Sequence, residues 1–215
     1  MTGAGDGSAA LLLRNASVAF WGELPRFLAV GVCWLGCLVP VAASLWTGAP
    51  QWVAATAALP GCLMLTVTAA AGAEVADGGR VRLQHLRQAD PVLAGVLWTV
   101  GVGIQLLLAG GSLFSAFGYV LSAATALTLL PTLSYGAISG RRGVAVLRGG
   151  LTLVALAPGM AVTLCALAVL VGFAVAASGG VLLLAAPGFL ATVGAAFVGN
   201  RLHHLTRSAS RKNFG

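Results

Sequence analysis

The sequence predicts an all-α, polytopic membrane protein with six transmembrane helices arranged as three hairpins and with both termini in the cytoplasm. Three observations predict this fold class. Hydrophobic residues make up 59% of the 215 residues, whereas charged residues make up only 8%, and a soluble domain typically carries about 25% charged residues. Residues 27–73, 91–140 and 149–200 contain no charged residue and no histidine. Every lysine and arginine lies outside these three runs.

The length of the uncharged runs predicts two helices in each run. One helix that crosses the hydrocarbon core needs about 20 apolar residues, and each run is more than twice that long. Clusters of Gly, Pro and Ser near the middle of each run, at 46–52, 110–117 and 177–180, are typical of a turn. The predicted helices are therefore 26–46, 52–73, 91–109, 116–138, 151–176 and 181–200.

The positions of the cations predict the orientation. With six spans and a hairpin turn in each run, all twelve cations fall on one side of the membrane, and the three turns carry none. Cytoplasmic loops are enriched in Lys and Arg, so we expect both termini in the cytoplasm. We divide the chain into a cytoplasmic N-terminal segment at 1–25, for which an interfacial helix is one alternative, a transmembrane domain at 26–200 and a basic cytoplasmic tail at 201–215.

The net charge of +7 does not indicate a nucleic-acid partner. The basic residues are separated by long apolar segments and form no single patch with interleaved aromatic residues. Basic residues that border membrane spans are typical of topology signals beside anionic lipids. We therefore expect the lipid bilayer, and not nucleic acid, as the first partner.

The four cysteines indicate neither a redox site nor a metal site. Cys33 and Cys37 are four residues apart on one predicted helix, and Cys62 and Cys165 lie in other spans. No histidine or carboxylate accompanies them in the spans, whereas a zinc site needs four ligands at characteristic spacings. We interpret these cysteines as small apolar packing residues. The sequence contains no candidate catalytic, cofactor-binding or metal-binding residue, so we do not expect an enzyme.

Mildly polar residues and prolines are the candidate contacts within the spans. Gln105 is the best single candidate for a solute or subunit contact, and Pro40 and Pro131 join it as possible helix-packing or solute contacts. Five prolines each lie within a different predicted span, and a proline kinks a helix and frees a carbonyl group. Two alternatives remain open, a kinked helix bundle and discontinuous helices around a solute. These five prolines are Pro40, Pro60, Pro131, Pro158 and Pro187.

The loops between the hairpins supply a second set of candidates. Asp90 followed by Pro91 predicts a helix start, with Asp90 as N-cap and Pro91 at the first helical position. The preceding basic stretch, 80–88, is compatible with an interfacial helix, a docking site for a cytoplasmic partner or a solvated loop. The possible cytoplasmic partner contacts are Arg80, Arg82, Arg87, Arg141, Arg142 and Arg148.

The order of these features resembles the YesL-like family of bacterial membrane proteins, whose domain has no assigned function. Trp34 followed by Pro40 and the small residues at 41–44 is similar to the family's first span. The basic stretch at 80–88 is similar to the one before its third span. Leu130 and Pro131, followed by Arg141 and Arg148, resemble the end of its fourth span and the helix that follows.

The resemblance implies a location in a bacterial inner membrane. It also implies a role beside carbohydrate uptake, because members of this family are commonly linked with ABC-type sugar importers. We therefore expect a non-enzymatic accessory membrane protein that contacts importer subunits through helix faces and basic cytoplasmic loops. The alternative is a stand-alone transporter or channel for an uncharged small solute, with a homo-oligomer as one option. A membrane enzyme is the third and least favoured hypothesis.

Overall fold

A computed structural model of the chain describes residues 6–48, 50–82 and 89–212. This part of the chain is helical and contains no strand. Its helices are α1 (Asp6–Gly22), α2 (Leu24–Trp46), α3 (Gln51–Ala57), α4 (Leu59–Ala76), α5 (Pro91–Leu108), α6 (Ser112–Ser139), α7 (Val144–Leu156), α8 (Pro158–Ala177) and α9 (Ala186–Lys212), with a 3-10 turn (Val181–Leu184) between α8 and α9.

Five helical segments are long and apolar enough to cross a membrane. Among the described residues these are Leu24–Trp46, Trp52–Ala76, Pro91–Leu108, Ser112–Ser139 and Pro158–Ala177. They confirm the prediction of an all-α protein with several membrane-spanning helices. The apolar helix α7 is shorter, with 13 residues. The last helix, α9, is not among the five, since it continues beyond Asn200 into the basic segment.

Prolines lie in the first turn of five of these helices, α2, α4, α5, α8 and α9, and three of these prolines correct predicted elements. The single helix predicted at 151–176 is wrong, because the backbone breaks at Ala157 (φ −139°, ψ 63°) and α8 starts at Pro158. The segment predicted at 181–200 begins instead with the 3-10 turn, and Pro187 is the second residue of α9. A turn at Ala58 likewise separates α3 from α4, where Pro60 is in the first turn. Proline lacks a backbone N–H, and the first turn of a helix does not need one.

The apolar core forms where α9 packs against its neighbours. One cluster joins Val193 and Val198 of α9 to Met160 and Leu164 of α8 and to Ala16 of α1. A second cluster contains Phe20, Phe27, Ala71 and Val75, with Phe189 of α9 against it. The Phe20 ring lies 5.2 Å from the Phe27 ring and 5.5 Å from the Phe189 ring, measured between centroids. The N-terminal helix α1 is therefore packed into the bundle through Ala16 and Phe20.

A third cluster holds α4, α5, α6 and α7 together at one end of the bundle. It consists of Ala69, Leu93, Leu133 and Val146, one from each helix. Val146 is fully buried, and it also lies against Gly136 of α6, which has no side chain in the way. Because α7 returns along α6, the loop between them is brought beside the start of α5. This arrangement positions the first candidate site.

Candidate functional site

Asp90 connects α4, the start of α5 and the α6–α7 loop through hydrogen bonds. Its Oδ1 accepts hydrogen bonds from the backbone N–H groups of Val92 and Leu93, both at 3.0 Å, and so caps α5. Its Oδ2 accepts the N–H of Gly143, in the α6–α7 loop, at 2.5 Å. The backbone N–H of Asp90 donates to the Thr66 hydroxyl of α4 at 3.2 Å. We call Thr66, Asp90 and Gly143 the Asp90 junction.

The Asp90 junction is buried, which makes these hydrogen bonds structurally important. Asp90 is only 7% exposed and Thr66 only 6%. Burying a charged or polar group is unfavourable unless hydrogen bonds replace those it made with water. Here the carboxylate receives three N–H groups that would otherwise lack partners. The predicted N-cap role of Asp90 is confirmed, and the junction gives Asp90 a second role in positioning the α6–α7 loop.

The backbone of Gly143 explains why glycine occupies this position. Its φ is +62° and its ψ is −136°, a conformation that is essentially restricted to glycine. This conformation presents the N–H of Gly143 to Asp90, immediately before α7 begins at Val144. Gly140, also at positive φ, ends α6 with its N–H bonded to the Gly136 carbonyl. The α6–α7 loop thus turns tightly at two glycines and leaves two arginines between them.

Those two arginines, Arg141 and Arg142, are exposed beside the Asp90 junction. Both line a small cavity of about 170 Å³ whose walls also include Asp90 and Thr66. Three more of the predicted partner contacts, Arg80, Arg82 and Arg148, are exposed as well, whereas Arg87 lies outside the described residues.

The positive charge of this surface is largely uncompensated. Arg26 forms an ion pair with Glu23 at 2.5 Å. Within 6–48, 50–82 and 89–212, the guanidinium groups of Arg141 and Arg142 take part in no such pair. Arginine forms planar, bidentate hydrogen bonds with carboxylate and phosphate groups. An exposed arginine pair on a fixed loop is therefore suited to an anionic partner.

Gln105 lines a groove elsewhere in the bundle. The groove has a volume of about 410 Å³ and runs between α2, the α3–α4 segment and α5. Gln105 is exposed at the groove, three residues before α5 ends. Trp98, two turns earlier on the same face of α5, donates its indole N–H to the Ala55 carbonyl at 2.5 Å. This bond ties α5 to the α3–α4 break.

The break between α3 and α4 forms one wall of the groove. Pro60 has no N–H, so the carbonyl of Thr56 lacks its usual helical donor four residues later and instead accepts an N–H at the end of α3. The groove is lined beside this point by Ala54, Ala55 and Ala58. The amide side chain of Gln105 in this otherwise apolar groove can hydrogen-bond an uncharged polar solute. Among the residues that the structure describes, no charged side chain lines this groove.

The two proline candidates lie in different environments. Pro40 is inside α2 and exposed, whereas Pro131 is inside α6 and fully buried. Neither lines the Gln105 groove or the Asp90 cavity. Sequence reasoning missed two contributors to these sites, namely Gly143 at the junction and Trp98 at the groove. The sequence Gly-Arg-Arg-Gly at 140–143 could have indicated a tight turn at Gly143.

The cysteines form no cluster with other ligand-type residues. All four are free thiols, with Cys33 exposed and Cys37, Cys62 and Cys165 partly buried. Over the portion of the chain that the structure covers, no group of three or more His, Cys, Asp and Glu residues could hold a metal ion.

Comparisons with known proteins give no relative from which a role can be transferred. The chain matches no protein-family model, and it matches neither a curated protein nor a solved structure.

Proposed function

We propose that this chain is a non-enzymatic accessory component of an ABC-type carbohydrate uptake system in a bacterial inner membrane, docked to importer subunits through arginines on its cytoplasmic side. The observation that carries this proposal is the Asp90 junction. It holds the α6–α7 loop in one conformation and leaves Arg141 and Arg142 exposed without a carboxylate partner. The carbohydrate part of the proposal is supported by the resemblance to the YesL-like family.

A fixed loop favours docking over a general attraction to lipid. Ordering a flexible loop when a partner binds costs conformational entropy, and a loop that is already ordered avoids this cost. The buried bond between Gly143 and Asp90 orders the loop before any partner arrives. Charge complementarity then determines which partner surface fits and how fast it associates. The expected partner surface carries Asp or Glu residues.

The proposal includes six spans with both termini in the cytoplasm. The five apolar segments are α2, α3 with α4, α5, α6 and α8, and α9 is the proposed sixth. Residues 186–199 of α9 contain no charge, and α9 contributes to two of the three core clusters. Six spans place all the arginine-bearing segments on one side, as the positive-inside rule requires.

Purification from the native cell tests the docking proposal. In mild detergent, we expect importer subunits to copurify with the wild-type protein and to be identified by mass spectrometry. The double variant Arg141→Gln/Arg142→Gln should lose most of this association, by about tenfold or more, because truncating charged groups at an interface commonly costs 2 kcal/mol or more.

A matched variant distinguishes the effect of losing the docking arginines from the effect of lowering the total charge. Arg14→Gln/Arg201→Gln removes the same charge from two other exposed positions on α1 and α9, and it should copurify importer subunits as the wild type does. Equal loss in both double variants would reject a specific role for the α6–α7 loop. A homogeneous protein without importer subunits would reject the accessory role.

The second candidate function is a transporter or channel for an uncharged solute, and the Gln105 groove favours it. Purified protein in liposomes should then conduct a neutral sugar, and Gln105→Leu should reduce the flux at least severalfold because the groove loses its amide. Gln105→Asn keeps an amide and serves as the control. Absence of flux above that of empty liposomes would exclude this candidate.

A further inference from the structure

A large apolar cavity lies inside the bundle, apart from the Asp90 junction and the Gln105 groove. Its volume is about 500 Å³, within the range of about 300–1,000 Å³ typical of small-molecule sites. Residues of α2, α4, α6, α8, the 3-10 turn and α9 line it. The cavity therefore lies among helices that cross the membrane, where the surrounding medium is hydrocarbon.

The lining selects against charge. Most of its side chains are Leu, Val and Ala, and no Asp, Glu, Lys, Arg or His contributes. Trp34, Thr68 and Ser134 bring polar atoms. The Thr68 hydroxyl already donates to the Met64 carbonyl, one turn earlier in α4, at 2.8 Å. An occupant must therefore be uncharged and mostly apolar, because a charged group would have no partner there.

Trp34 has an unused hydrogen-bond donor. Its indole Nε1 is buried and has no acceptor in the described part of the chain. By contrast, the indole of Trp98 donates to the Ala55 carbonyl. A buried donor without a partner is unfavourable, and more so at membrane depth, where water is not available to replace the acceptor. A ligand that brings one acceptor oxygen would remove this cost once the indole ring turns its N–H, which a water-sized molecule does not reach in this conformation, toward the cavity.

We propose that this cavity binds an uncharged, membrane-dissolved carbonyl compound, with its apolar body among the aliphatic side chains and its carbonyl oxygen accepting the N–H of Trp34. The apolar lining, the position among membrane-crossing helices and the free N–H of Trp34 together indicate an uncharged, apolar ligand with one acceptor oxygen. The site is independent of the proposed docking role, since it shares no residue with the α6–α7 loop.

The test uses the full chain in phospholipid nanodiscs and a tritiated benzoquinone with a decyl chain as the probe. This molecule is uncharged and carries carbonyl oxygens on an apolar body. We expect saturable binding above the partitioning into empty nanodiscs. Trp34→Phe keeps the ring but removes the N–H, and it should weaken binding about fivefold, equivalent to about 1 kcal/mol. Trp46→Phe is the control, because Trp46 is 93% exposed and lies outside the cavity.

A cavity-filling pair of variants tests the location. Gly172 lines the cavity, and a Cβ atom added there meets no atom within 4 Å. Gly172→Phe should therefore fold normally and abolish saturable binding. Gly159 is on the same helix with equally open surroundings but outside the cavity, so Gly159→Phe should bind as the wild type does. The proposal is overturned if no saturable binding occurs, if Gly172→Phe binds normally, or if a retained phospholipid alone occupies the cavity.

Discussion

Replacing Asp90 with alanine is expected to lower the free energy of unfolding by about 3 kcal/mol, the sum of a lost helix N-cap and a buried N–H group without an acceptor. The carboxylate caps α5 through Val92 and Leu93 and holds the N–H of Gly143. Alanine removes the acceptor of all three N–H groups, and those of Leu93 and Gly143 are buried. The measurement is equilibrium unfolding in mixed detergent micelles, followed by circular dichroism.

Asp90→Asn is the informative control for this prediction. Asparagine keeps one acceptor oxygen, so it can cap α5 or hold Gly143 but not both. We expect it to lose about half as much stability as Asp90→Ala. In the copurification assay, both variants should also weaken partner binding, because the α6–α7 loop is released. An Asp90→Ala protein within about 0.5 kcal/mol of the wild type, a difference typical of a neutral surface substitution, would contradict the structural role of the junction.

The second large effect is expected at Gly72, where α4 meets α9. A Cβ atom added to Gly72 would lie 2.6 Å from the carbonyl carbon and the Cβ atom of Ala191 and 2.7 Å from the backbone nitrogen of Thr192. Two of these atoms belong to the backbone, so the helices must separate to make room. We expect Gly72→Ala to destabilise the protein by about 3 kcal/mol, the upper part of the range for overpacked cores.

Gly95→Ala is the matched control in α5, because a Cβ atom there meets nothing within 4 Å. This variant should be neutral or more stable by up to about 1 kcal/mol, since alanine favours helix more than glycine does. Both substitutions replace glycine with alanine, but we expect them to change the free energy of unfolding in opposite directions. Equal effects at Gly72 and Gly95 would show that α4 and α9 do not pack as closely as described.

The sequence predicted those features that depend on local chemistry. Uncharged runs and turn clusters located α2, α5 and α6 to within a few residues, and Asp90 followed by Pro91 identified the start of α5. Each of these signals acts within a few residues of the element it specifies. The prediction of several apolar spans was confirmed for the same reason.

Features that depend on tertiary contacts could not be predicted in this way. A proline in an apolar run can either kink a helix or begin a new one. The residues around Pro158 are uncharged and would be compatible with either outcome. The partners of Asp90 lie 24 and 53 residues away in the chain, at Thr66 and Gly143. Neither the hydrophobic pattern nor the charge pattern carries information about such pairs. The large cavity beside Trp34 likewise arises from how six segments pack.

Measuring whether α9 crosses the membrane tests the account most directly. With six spans all the arginines lie on one side of the membrane, whereas with five spans the C-terminal arginines lie on the opposite side from the others. In a background without the four cysteines, single cysteines at Ser178→Cys and Ser210→Cys are labelled with a membrane-impermeant maleimide. We predict labelling of Ser178→Cys on intact cells and labelling of Ser210→Cys only after permeabilisation. Labelling of Ser210→Cys on intact cells would contradict the six-span topology and the single arginine-rich side.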